Sequence, residues 1–268
     1  MRTLALTVSY DGTDWCGFQR QRDVPSIQGA VEAALSEVFQ HKVAVFCAGR
    51  TDAGVHAIGQ VVSFPTPNLM PLDRITWVTN RLLPATIRIR RAQDVPPNFH
   101  ARFSARFRRY WYVVQSTGQP DPIYGRFRWQ QKRRFDIAAM ETALTAVQGC
   151  HDFAAFCHRL AAPTGSTIRT LHRAFVRPWA QGVIIDVQAD AFLHQMVRLL
   201  VANVLLVGGG ERPVTWLEEL LQSRDRHLAG KGAPPCGLFL MRIGYFSPTV
   251  NPRWGSILEK LNDEMLFG

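Results

Sequence analysis

Thr3-Leu4-Ala5-Leu6-Thr7-Val8-Ser9-Tyr10 alternates apolar and polar side chains with a period of two, the pattern of a half-buried strand. Pro25-Ser26 then opens a stretch in which Ile27, Ala30, Val31, Ala34, Leu35 and Val38 return to one face of a helix, with Ser26 as its N-cap. Outward from this pair, strands follow around 43–47 and 58–64, a helix fits 71–82 between Pro71 and Pro84, and Thr86 to Arg91 alternates again. The order is β-α-β-β-α-β. Beyond Pro96-Pro97 it recurs, with a strand at 106–115, a helix at 136–148, strands near 169–177 and 182–189, and a helix at 192–207. An extra helix near 214–223 and a last strand at 237–246 complete the second set. Two such sets predict the α+β class: two ferredoxin-like halves forming a mixed, mainly antiparallel sheet with a central active-site cleft. The expected division is an N-terminal α/β subdomain over 1–98, a C-terminal α/β subdomain over 99–248 and a tail over 249–268. Segments 11–25, 116–134 and 223–236 lack clean periodicity and read as loops around the functional face.

With 268 residues, 47% of them hydrophobic, the chain can bury a substantial core. Lys and Arg outnumber Asp and Glu by 31 to 21, which makes a polyanion the first partner to consider. The longest apolar stretch, Met196 to Val207, is broken by Arg198 and too short to span a bilayer, so no membrane partner is expected. The N-terminus lacks a signal-peptide pattern, and a cytoplasmic protein is expected. Five scattered cysteines read as free thiols. Cys150-His151 and Cys157-His158 do not have zinc-ligand spacing, and neither a metal nor another cofactor is expected.

The densest segment is Gly49-Arg50-Thr51-Asp52-Ala53-Gly54-Val55-His56-Ala57, between two strands. Gly49 and Gly54 allow a tight or left-handed backbone that would present Arg50 and Asp52 from a fixed loop. Taken alone, the segment fits a preorganised nucleophile or a plain Asx-turn with a surface arginine.

Arg50-Thr51-Asp52-Ala53-Gly54-Val55-His56 resembles the signature loop of the tRNA pseudouridine synthase A family. The likeness continues in order through Tyr10-Asp11-Gly12, Gly17-Phe18-Gln19-Arg20-Gln21, Phe99-His100-Ala101-Arg102-Phe103-Ser104-Ala105, Arg109-Tyr110, Phe192-Leu193-His194-Gln195-Met196-Val197-Arg198 and Gly237-Leu238-Phe239-Leu240. It covers nearly the whole chain. Phe18 stands where the family more often has tryptophan, Trp15-Cys16 stands where tyrosines are expected, and 116–134 carries no match.

The resemblance implies Asp52 as the catalytic nucleophile, Arg50 as the residue linked to base extrusion, Tyr110 as the aromatic contact to the target base, and Arg198 as the partner of Asp52. It further implies a tRNA substrate, with uridines 38, 39 and 40 of the anticodon stem-loop isomerised to pseudouridine, and a homodimer. The chemistry suits these residue types. Breaking the N1–C1′ bond, turning the uracil and rejoining it through C5 needs a carboxylate that can hold a covalent intermediate, whether it attacks C6 or C1′. A guanidinium fixes such a carboxylate bidentately. A stacked uridine must first be flipped out, at about a few kcal/mol.

The stretch Arg102, Arg106, Arg108, Arg109, Arg126, Arg128, Lys132, Arg133 and Arg134 is basic and interleaved with aromatics, as phosphate and base contacts require. A non-catalytic RNA-binding protein would share the charge and the architecture but leaves Arg50-Thr51-Asp52 without a purpose. A hydrolase or transferase acting on basic small molecules finds no P-loop, dinucleotide fingerprint or serine elbow here.

Overall fold

The computed structural model describes residues 1–119, 121–158 and 165–245; the 249–268 tail lies outside them. Among the described residues the chain forms five α-helices and ten strands, and it divides into two compact units. The first is Met1–Phe107 with the return from Leu240; the second is Arg108–Phe239.

The first unit contains β1 (Arg2–Tyr10), α1 (Ile27–Phe39), β2 (Phe46–Cys47), β3 (His56–Thr66), α2 (Leu72–Leu82) and β4 (Ile87–Val95). β1 lies between β3 and β4, antiparallel to both, with Leu4, Leu6 and Val8 fully buried. Helix α1 begins where Ser26 Oγ accepts from the Gly29 N–H, and it buries Ile27, Val31, Leu35 and Phe39, spaced every four residues along one face. Each such side chain contributes roughly 1.5–3 kcal/mol by leaving water.

The strand expected over 43–47 is cut to Phe46–Cys47 for a specific reason. The Val43 N–H donates to Ser36 Oγ (2.9 Å) and the Val45 N–H to Glu32 Oε1 (3.0 Å), so side chains of α1 take the donors a ladder would use. Glu32 is buried, and its other oxygen meets Arg20 at 2.9 Å.

The second unit contains β5 (Phe107–Gln115, from Arg108 onward), β6 (Trp129–Gln130), α3 (Ile137–Ala146), β7 (Gly149–Asp152), β8 (Ile168–Trp179), β9 (Gly182–Ala189), α4 (Met196–Gly208), α5 (Trp216–Ser223) and the start of β10 (Leu238–Gly244). Its strands run β5-β9-β8-β7, all antiparallel, with the short β6 parallel to β5. Neither β6 nor β7 is visible as a sequence pattern, because runs of two and four residues carry no period.

Helix α4 starts at Met196, later than expected, since Gln195 is left-handed (φ 60°) and Asp190 Oδ1 accepts from the Ala191 and Thr170 N–H groups to form a turn. The first unit thus carries the β-α-β-β-α-β order, and the second adds β6, β7 and α5 to the same core and ends on the start of β10, on an α+β, mainly antiparallel framework.

Candidate active site

Asp52 sits on the connection between β2 and β3, and the sequence on either side explains why that connection is rigid. The Ala48 N–H still donates to the Val61 carbonyl (2.8 Å), and beyond it the ladder is taken over by a side chain. Gln60, fully buried on β3, donates to the Gly49 carbonyl at 2.6 Å and accepts from the Gly49 N–H at 3.4 Å. Thr51 is buried. Its Oγ1 shares a hydrogen bond with the Tyr10 hydroxyl (2.8 Å), and its carbonyl accepts from the Phe18 N–H (3.0 Å). Past Asp52, whose carbonyl accepts from the Val55 N–H (3.2 Å), Gly54 is left-handed at φ 76°. Gly49 has no such φ among the described residues; its contribution is the pair of bonds to Gln60.

His56 closes the loop. Its Nδ1 accepts from the Gly12 N–H (3.0 Å) and lies 3.2 Å from Asp11 Oδ1, two contacts that need opposite protonation of one nitrogen. Gly12 approaches so closely that a Cβ there would stand 2.0 Å from the Val55 carbonyl oxygen. The segments Tyr10-Asp11-Gly12 and Gly17-Phe18 therefore form a cradle for the 49–57 loop. On that cradle Arg50 is exposed and Asp52 half-buried. A carboxylate carried on an anchored backbone can attack an electrophilic carbon without the loop having to order first.

Tyr110 and Arg198 belong to the second unit. Tyr110 is in β5, opposite Val187, and meets the Phe192 ring edge-on with centroids 5.1 Å apart. β5 sends Tyr110 and Tyr112 to one face and Arg109 and Trp111 to the other. The Tyr112 hydroxyl donates to the Pro234 carbonyl (2.8 Å), and burial, with Cys236 nearby, pushes its pKa far above the ordinary tyrosine value while the Arg198 charge pulls it back in part. Arg198, on the first turn of α4, donates through Nε to the Ala233 carbonyl (2.6 Å), and the Ala233 N–H returns a bond to the Arg198 carbonyl. That reciprocal pair fixes the plane of the guanidinium.

Arg109 departs from the basic stretch read in the sequence. It is buried and forks onto Asp186 (2.9 and 2.6 Å), which also meets Arg177 at 3.2 Å. Arg133 pairs with Glu211, and Arg128 lies over Trp179 and bonds Gln181. Among the described residues no group of three or more His, Cys, Asp or Glu is placed to hold a metal ion, and all five cysteines are free thiols.

The profile of the family described as tRNA pseudouridine synthase matches residues 6–104 and 143–245, more than half of the chain. The chain belongs to this family.

Its relatives include the tRNA pseudouridine synthase A of Blochmanniella pennsylvanica, 41% identical over 97% of this chain and 99% of the relative. Those of Pseudomonas aeruginosa (41%, over 90% of this chain and 85% of the relative) and Alcanivorax borkumensis (41%, over 91% and 92%) are similar. Pseudouridine synthases are isomerases, and so is this chain. Arg50, Asp52 and Arg198 fall inside the matched segments and Tyr110 between them.

Within this pseudouridine synthase, Gln60, which braces the loop, and Asp186, which holds Arg109, are residues that sequence reasoning passed over. Gln60 had a visible signal: it shares the core-facing side of β3 with Val62 and Phe64, where a polar residue needs a partner. Asp186 had none, since its role depends on Arg109, 77 residues away. Among the described residues no helix is long and apolar enough to cross a membrane.

Proposed function

We propose that this chain converts uridine to pseudouridine in tRNA, at positions 38, 39 and 40 of the anticodon stem-loop, with Asp52 as the nucleophile. A uridine leaves the stack and Arg50 supports the space it vacates. The flipped base stacks on Tyr110, and Arg198 serves as the guanidinium that orients Asp52. The Asp52 carboxylate forms a covalent bond to the substrate, the N1–C1′ bond breaks, and the uracil turns. C5 then bonds to C1′, the C5 proton leaves, N1 takes a proton, and the carboxylate is released. Nothing is oxidised or reduced. The proposal includes a cytoplasmic homodimer, so that one subunit can hold the tRNA body while its partner receives the anticodon arm.

The observation that carries the reading is the Asp52 loop, whose neighbours at Gly49, Thr51 and Val55 are held by Gln60, Tyr10, Phe18 and the Asp52 carbonyl itself. A surface Asx-turn needs no such support.

The test is pseudouridine formation in unmodified tRNA by wild type and Asp52→Asn, with tRNA affinity measured on the same preparations. The expected result is a turnover loss on the order of 10⁴-fold in the variant with binding retained. Equal product from both proteins would remove Asp52 from the chemistry. A gain in tRNA affinity with no product from either protein would indicate a binding protein, since neutralising a carboxylate relieves its repulsion of phosphate.

A further inference from the structure

The 99–103 segment of the first unit has no role in the chemistry above, yet it is built with care. The Ala101 N–H donates to the buried Ser63 Oγ (3.0 Å), the Ala101 carbonyl accepts from the Tyr245 hydroxyl (2.9 Å), and the His100 N–H donates to Ser104 Oγ (3.0 Å). His100 Nδ1 accepts from the Arg102 N–H at 3.1 Å, which fixes the ring's orientation. The result is a row of rings. His100 lies between Phe46, at 4.8 Å, and Phe103, at 4.4 Å, and the Arg102 guanidinium stands 5.5 Å from the centre of Phe103. The rings meet at tilts of 37° and 36°, and Phe46 is 50% exposed and Phe103 76% exposed, so two large apolar rings of one contiguous row face water. Single exposed rings are ordinary, but a pinned row of contacting rings with a cation at its end is a surface that points to a ligand.

We propose that Phe46, His100 and Phe103, with Arg102, form a stacking platform for an unpaired nucleotide of the RNA substrate, separate from the flipped uridine. The proposal rests on the functional reading that the substrate is RNA. Every base offers a π face to an aromatic ring, and Arg102 beside the outermost ring supplies the charge that meets the adjoining phosphate. Position favours the same assignment. Phe46 precedes Asp52 by six residues, which limits their separation to about 20 Å, roughly six stacked nucleotide steps. A base near the target in a single-stranded loop falls within that reach, whereas a paired base has both faces covered.

The test compares two RNA probes, an unmodified anticodon stem-loop and a blunt duplex of the same stem, bound to wild type, Phe103→Ala, Phe103→Tyr and Arg102→Gln. Phe103→Ala should weaken stem-loop binding about 5- to 150-fold and leave duplex binding unchanged. Phe103→Tyr should bind like wild type, and Arg102→Gln should weaken both probes and lower the salt dependence. KM should rise in Phe103→Ala with kcat kept. In Phe103→Ala, equal losses on both probes, or no loss on either, would overturn the platform. Unchanged RNA binding with a smaller mass in light scattering would assign the surface to a second copy of the chain instead. Wild type that forms no pseudouridine while the loop-selective loss persists would refute the functional reading alone; product formation without that loss would refute the platform alone.

Discussion

The two units share a β-α-β-β-α-β core, to which the second adds β6, β7 and α5, and they differ most at the connection between the second and third strands of that core. In the first unit β2 passes into β3 through residues 48–55, the loop that carries Asp52. In the second, β8 passes into β9 through only Ala180 and Gln181, with Trp179 paired to Gly182. Both connections are tight. A Cβ on Gly12 would meet the Val55 carbonyl at 2.0 Å, and one on Gly182 would meet the Val114 carbonyl at 2.1 Å. The same close packing holds a chemical group in one unit and a strand register in the other. A repeated topology therefore says where a loop will be and nothing about its use.

The comparison breaks most directly at these glycines. Gly12→Ala and Gly182→Ala should both destabilise the fold, but kcat per folded molecule should fall about 100-fold or more only in Gly12→Ala, because a displacement near 1 Å suffices to spoil catalysis. Circular dichroism together with single-turnover kinetics would measure this, and matching kcat losses would mean the hairpin also serves the site.

A smaller effect is expected from Gln60→Ala, which leaves the Gly49 carbonyl without its 2.6 Å donor. Stability should drop by about 1–3 kcal/mol, and kcat roughly tenfold, with tRNA affinity kept. An unchanged kcat in denaturant-checked protein would detach the brace from the chemistry.

The smallest effect belongs to the second unit and appears only in alkali. The raised pKa of Tyr112 means that above about pH 10 the unfolded chain ionises this hydroxyl while the folded chain keeps it protonated. The unfolded state then binds fewer protons, so stability falls with rising pH, by up to about 1.4 kcal/mol per pH unit. Tyr112→Phe should lose about 1 kcal/mol at neutral pH with the bond to Pro234, and its urea midpoint should then decline less steeply above pH 10 than that of wild type. Parallel slopes would show that other groups dominate the alkaline transition.

Much of the framework was legible in the chain itself. Alternation marked β1 and β4, and the Ile27-Val31-Leu35 spacing with Ser26 marked α1, because periodicity and capping are local properties. Local reading failed where a distant atom decides. Val43 and Val45 look like strand residues, yet Ser36 and Glu32 hold their N–H groups. Arg109 looked like a phosphate ligand until Asp186 claimed it.

By itself the sequence determined the α+β order, the basic charge and the Arg50-Thr51-Asp52 segment, since each is written in neighbouring residues. Only the tertiary structure decided that Tyr10, Gly12, Phe18, His56 and Gln60 hold that segment in place, and that Phe46 lines up with His100 and Phe103. Those contacts join side chains up to tens of residues apart, and their geometry exists only after the strands have found their register.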